Sequence, residues 1–110
     1  MIKIVIVSLR LKESYPEFAD ELRGLLSDEP DLASTVTELQ LIDRCRCGDD
    51  FCSSFYTVTP PDGAWGPGHE NIVLESEVGM IILDVVDRKI TMVEVLDRED
   101  VRKKIHYLIP

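Results

Sequence analysis

Met80-Ile81-Ile82-Leu83-Asp84-Val85-Val86-Asp87-Arg88-Lys89-Ile90-Thr91-Met92-Val93-Glu94-Val95-Leu96 decides the fold. Two strongly apolar runs, Met80 to Val86 and Ile90 to Leu96, are separated by Asp87-Arg88-Lys89, a break short enough to close a β-hairpin. Asp84 and Glu94 interrupt these runs. They either face each other across the hairpin or point outward from a half-exposed sheet, and the outward position accounts for them without any acid–base role.

Beyond the hairpin a helix is predicted from Asp97, which can cap it. Glu99 and Asp100 fall in its first turn, and Lys103, Lys104 and His106 near its end, as the helix dipole favours. Val101, Ile105 and Leu108 supply the buried stripe. Before the hairpin, Asn71 to Glu75 reads as a short strand. Thr59 to Glu70, with Pro60, Pro61, Pro67, Gly63, Gly66 and Gly68, reads as a long irregular loop.

Nearer the start, residues 2 to 9 are apolar on both alternating faces, the pattern of a covered central strand. Ser14 with Glu17 forms a capping-box pattern, and Pro16 suits a first helical turn. Phe18, Leu22, Leu25 and Leu26 then recur at helical spacing, and Pro30 prevents continuation. Thr35 to Cys45 alternates as a strand, so strand, helix and strand predict a right-handed crossover with the first two strands parallel. After a turn at Gly48-Asp49-Asp50, Phe51 to Val58 returns as a third strand. The sum is an α+β protein, a single domain over residues 1–110, with a mixed sheet of about six strands and two helices packed on it.

Composition narrows the function classes. The 110 residues carry a net charge of −9, and no Lys or Arg lies between Cys47 and Asp87. Such a surface repels phosphates, which argues against nucleic acid, and attracts a cation or a basic protein. No apolar run approaches the about 20 residues of a spanning helix, so no membrane role is expected. The odd cysteine count rules out a complete intramolecular disulfide framework, and a cytoplasmic location is expected.

All three cysteines lie in Cys45-Arg46-Cys47-Gly48-Asp49-Asp50-Phe51-Cys52. Cys45 and Cys47, two apart on a strand, project to one face, and Cys52 approaches across the turn. With His69 on the following loop they make a Cys3His set suited to zinc, although the C-x-C-x4-C spacing differs from the usual paired C-x2-C. No other cofactor is expected. Two other readings stand beside zinc. The cysteines can be packing residues, or redox-active, with Cys47 and Cys52 facing each other as a dithiol pair and Arg44 and Arg46 lowering the pKa of Cys45 against the opposing Asp43, Asp49 and Asp50. Hydrolytic catalysis finds little support, because Ser53 and Ser54 lie in a strand with no nucleophile elbow and the chain has two histidines.

Trp65, exposed on the Pro/Gly-rich loop, stands near Tyr56 and His69. Together with Asp49, Asp50 and Asp62 they form a candidate protein-binding surface, because large aromatic side chains bury much area at low entropy cost. Trp65 could equally fold down and plug one end of the core.

The segment Gly79 to Asp97 resembles the strand–turn–strand–helix start of a family of short bacterial proteins of unknown function. That family carries an xLD…D-G/R-x-I-x-x-I-E-I-L-D pattern; Lys89 stands here where glycine is frequent. In size and charge the chain is also similar to small acidic immunity proteins. That likeness implies a non-enzymatic module that binds a protein partner, basic in character, in a toxin-neutralising role. A small zinc protein is the alternative, and an unrecognised small enzyme a third.

Overall fold

The predicted hairpin is the centre of the sheet. Strands β6 (Met80–Val86) and β7 (Lys89–Leu96) run antiparallel, joined by Asp87 and Arg88 at φ 51° and 63°. Two consecutive left-handed residues make the turn whose twist matches the strands it connects. In the computed structural model, residues 9–110 are described; apart from Leu9, the strand expected over residues 2 to 9 lies outside the described residues.

Strand β5 (His69–Leu74) pairs with β6 from Leu74 opposite Ile81 to His69 opposite Val86. On the other side, β4 (Phe55–Tyr56) pairs with β7, and β3 (Asp43–Arg44) with β4. The five-stranded sheet therefore runs β3-β4-β7-β6-β5, and a separate two-stranded sheet joins β1 (Leu9–Arg10) to β2 (Gln40–Leu41). Helices α1 (Leu11–Ser14), α2 (Pro16–Leu25), α3 (Pro30–Thr35) and α4 (Glu99–Leu108) complete the α+β domain.

Alternation along the strands gives the sheet two different faces. Phe55, Val93, Val95, Ile81 and Leu83 are fully buried in one core with Phe18, Leu22 and Leu26 of the α2 segment and Val101 and Ile105 of α4. The Phe18 and Phe55 rings meet edge-on at 6.0 Å between centroids. The register puts Asp43, Tyr56, Glu94, Asp84 and Asn71 on the opposite face.

Several expectations need correction. The predicted strand over Thr35 to Cys45 is instead α3, a 3-10 turn at Val36–Glu38, and two short strands. Leu32, Val36 and Leu39 are all buried, and their i, i+4, i+7 spacing is helical. The hydroxyls of Ser34, Thr35 and Thr37 donate back to carbonyls three residues earlier, so this polar run closes on itself. Pro30 begins a helix here instead of merely ending one, because its missing N–H costs nothing at a first turn.

The first described strands are antiparallel, Leu9 opposite Leu41, and not parallel; the other described pairings are antiparallel too. Ser14 does not cap α2: it ends α1, and Tyr15 holds the cap position without a side-chain bond. Asp97 does not cap α4 either. It adopts φ 58° and its N–H donates to Phe51 O, which leaves Arg98 at the cap. The third strand shrinks from Phe51–Val58 to Phe55–Tyr56, with Cys52 bridging singly to Leu96.

Candidate metal centre and the open sheet face

The cysteine loop springs from the β3–β4 pair. Cys45 N–H donates to Ser54 O at 2.8 Å, and Cys52 N–H donates to Asp49 O at 3.2 Å, which folds the intervening residues into a tight excursion. Gly48 supports it at φ 82°, where side-chain-bearing residues are strained. The predicted convergence of the thiols follows: the Sγ atoms of Cys45, Cys47 and Cys52 all lie within 4.8 Å of one another. Three close cysteines of this kind could hold a metal ion.

A zinc ion with Zn–S bonds of about 2.3 Å in tetrahedral geometry wants sulfurs about 3.8 Å apart, a separation compatible with this arrangement. Burial pushes the Cys45 thiol up to about 11. Burial also raises Cys52, but hydrogen bonding with Ser54 and with the other two thiols outweighs it and holds Cys52 below the ordinary thiol value. Cys52 is thus easier to ionise than an ordinary thiol, while Cys45 keeps a proton that a metal would displace.

This pattern corrects the expectation that Arg44 and Arg46 activate Cys45. Arg44 Nε donates to Ile109 O at 2.8 Å, and Arg46 Nη2 pairs with Asp43 at 3.0 Å. Both guanidiniums are spent on other partners.

His69 does not join the cysteines: among the described residues no histidine or carboxylate completes their group. Its Nε2–H donates instead to Asp84 Oδ1 at 2.7 Å, and Asn71 Nδ2 donates to the same oxygen at 2.8 Å. Asp84 is only 4% exposed, so it does not point outward as a solvated polar position. A shift in pairing between Asp84 and Val85 lies at this point of the β6–β7 ladder. Glu94 lies on the same face, diagonal to Asp84 across the β6–β7 ladder. Burial, followed by the Asp84 hydrogen bond and charge, pushes Glu94 up to about 7. The two residues are thus neither directly opposed across the hairpin nor both turned out to water, the two arrangements expected from the sequence.

Trp65 neither stands free nor plugs the core. It is half-buried on the open face, 6.2 Å from the Tyr56 ring and 6.4 Å from the His69 ring. The predicted partner-binding set therefore divides. Tyr56, Trp65 and His69 come together, whereas Asp49, Asp50 and Asp62 are simply exposed, with Asp50 3.7 Å from Arg102. Beside Asp49 and Asp50 the structure adds Phe51, an aromatic ring 51% exposed that the sequence reading took for a strand residue.

Ser53 and Ser54 are structural. Ser53 Oγ donates to Val95 O, and Ser54 Oγ accepts the Val95 N–H at 2.9 Å. Among the described residues no helix is long and apolar enough to cross a membrane. In comparisons with known proteins, no family model, no curated protein and no solved structure matches this chain.

Proposed function

We propose that this is a small zinc-binding protein whose ligands are Cys45, Cys47 and Cys52. The mutual approach of their three sulfurs within 4.8 Å is the observation that carries the reading. Packing alone does not call for three thiols on one half-exposed loop, since a cysteine kept as a small apolar residue is ordinarily buried, whereas Cys47 is exposed. With His69 held by Asp84, the fourth zinc position falls to water or to a donor from a bound partner. The neighbouring carboxylates Asp43, Asp49 and Asp50 favour a cation's approach.

Metal content and thiol titration, on protein purified without chelator, test this. One zinc per chain with protected thiols, both lost in Cys47→Ser, is the expected result. Three reactive thiols in the folded protein, unchanged by added zinc, would overturn it.

A second reading is a non-enzymatic protein-binding module. Phe51, exposed between Asp50 and Cys52 at the loop tip, favours it, because an exposed aromatic beside carboxylates suits a basic protein surface. Phe51→Ala would then abolish binding to a basic partner while leaving zinc content unchanged.

A further inference from the structure

We propose that Asp84 and Glu94 form a proton-operated latch that holds the Trp65 loop against the open face of the sheet. The argument begins with connectivity. The irregular segment carrying Trp65 enters β5 at His69, and His69 is fixed by its hydrogen bond to Asp84 at 2.7 Å. Trp65 lies over His69 on one side and Tyr56 on the other. Beside the backbone bond from Asp87 N–H to Gly68 O, the aromatic side of the loop is therefore tied to the sheet through one buried carboxylate.

That carboxylate has a second neighbour of its own kind. In the β6–β7 register Asp84 stands opposite Met92, and Glu94 lies two residues further along the same face. Among the described residues, both hydrogen bonds that the Asp84 carboxyl accepts, from His69 and Asn71, arrive at Oδ1. Diagonal neighbours on one sheet face are within reach of each other for a side chain as long as glutamate, and two carboxyl groups that meet in a poorly solvated setting share a proton more readily than they both ionise.

The surroundings offer little to offset a second negative charge. Glu94 is faced by Asp84 from β6 and by His69 from β5, and these are the two charges that act on it. From β4 it is faced by Tyr56, whose hydroxyl is pushed up by burial and then by Cys45, Asp43, Asp84 and Glu94. Losing the proton of Glu94 adds a negative charge beside Asp84. Their repulsion is relieved when the Asp84–His69 arm moves toward water, which takes His69 away from Trp65 and leaves the indole held by Tyr56 alone. The latch is closed in mild acid and open in mild base.

Trp65 is the single tryptophan, so its fluorescence reports the loop alone. The expected result is one emission transition between about pH 5.5 and about pH 8.5, with easier quenching by acrylamide on the basic side. Glu94→Gln, which keeps the shape but cannot ionise, should remove the transition and stay in the quench-protected form throughout. A transition that persists unchanged in Glu94→Gln, as protonation of His69 alone would give, overturns the latch; so does its absence from the unmodified protein. Should Glu94→Gln fail to fold, hydrogen exchange on the unmodified protein decides instead. After correction for the intrinsic pH dependence of exchange, protection over residues 63–68 must fall with rising pH while that of β7 holds. Equal protection of the loop at both pH values overturns the proposal.

Discussion

Arg98 and Glu21, on segments far apart in the chain, form a two-pronged ion pair: Nη1 meets Oε2 at 2.7 Å and Nη2 meets Oε1 at 2.8 Å. The same guanidinium reaches Asp100 with Nε and Nη2, both at 3.0 Å, and lies over the Phe18 ring. At 9% exposure, Arg98 fastens α2 to the start of α4. Arg98→Met should cost about 2–3 kcal/mol in urea denaturation, because Glu21 is left without its partner. Arg98→Lys should recover only part of this, since an ammonium cannot make the planar two-pronged contact.

Two glycines make opposite predictions. Gly79 sits at φ 72°, and a Cβ there would run into the carbonyls of Leu96 and Asp97 and the Arg98 side chain. Gly79→Ala should destabilise by about 2 kcal/mol or more, being strained in both backbone and packing. Gly24 lies inside α2 with open space around it. Gly24→Ala should stabilise by about 0.5–1 kcal/mol through helix propensity. Thermal melts of the two variants side by side check both.

Zinc affinity, measured by competition with a chromophoric chelator, should fall at least about 100-fold in Cys52→Ser. His69→Ala should change it less than about twofold, because His69 serves Asp84 and not the sulfurs. Affinity should also rise with pH across the neutral range, since Cys45, pushed to about 11, has to surrender its proton to the metal.

Stability should decline as pH rises through neutrality. Glu94, moved from 4.5 to about 7, holds its proton more tightly when folded than when unfolded. Its contribution is therefore fully present below the unfolded value and lost as pH rises through the folded one. Discounted for partial exposure, the loss between mild acid and mild base is about 1–2 kcal/mol, and Glu94→Gln should abolish it. Asp100 works in the other direction. Hydrogen bonding from Arg98 lowers its pKa, so its contribution is present above the ordinary carboxylate value and lost as pH falls through the lowered one. Denaturant melts from pH 3 to 9 resolve the two limbs.

What the sequence made legible follows from the range of the forces involved. The β6–β7 hairpin and helices α2 and α4 rest on local periodicity, and Phe18, Leu22, Val101 and Ile105 are buried as their spacing requires. The stretch from Leu32 to Leu39 misled because its alternating threonines imitate a strand, while the decisive apolar spacing spans a longer window. Cys45, Cys47 and Cys52 converge as predicted because a short loop leaves them little choice. The His69–Asp84 bond was not legible: it depends on the register of β5 against β6, which no local pattern specifies. The Glu94 shift was hidden for the same reason, since burial belongs to the assembled sheet.

The order of strands in the sheet also orders events in time. Strands β5, β6 and β7 are consecutive in the chain and adjacent in space, whereas β4 reaches β7 only across the whole segment between them. Closing that larger loop costs more chain entropy, so the three-stranded meander assembles first and the β3–β4 arm docks onto it late. Truncating Leu83 or Val93 should therefore slow folding, and truncating Phe55 should mainly hasten unfolding. The thiols come together in the last stage of this sequence, so that a metal would meet a nearly finished protein and act on its lifetime more than on its rate of formation.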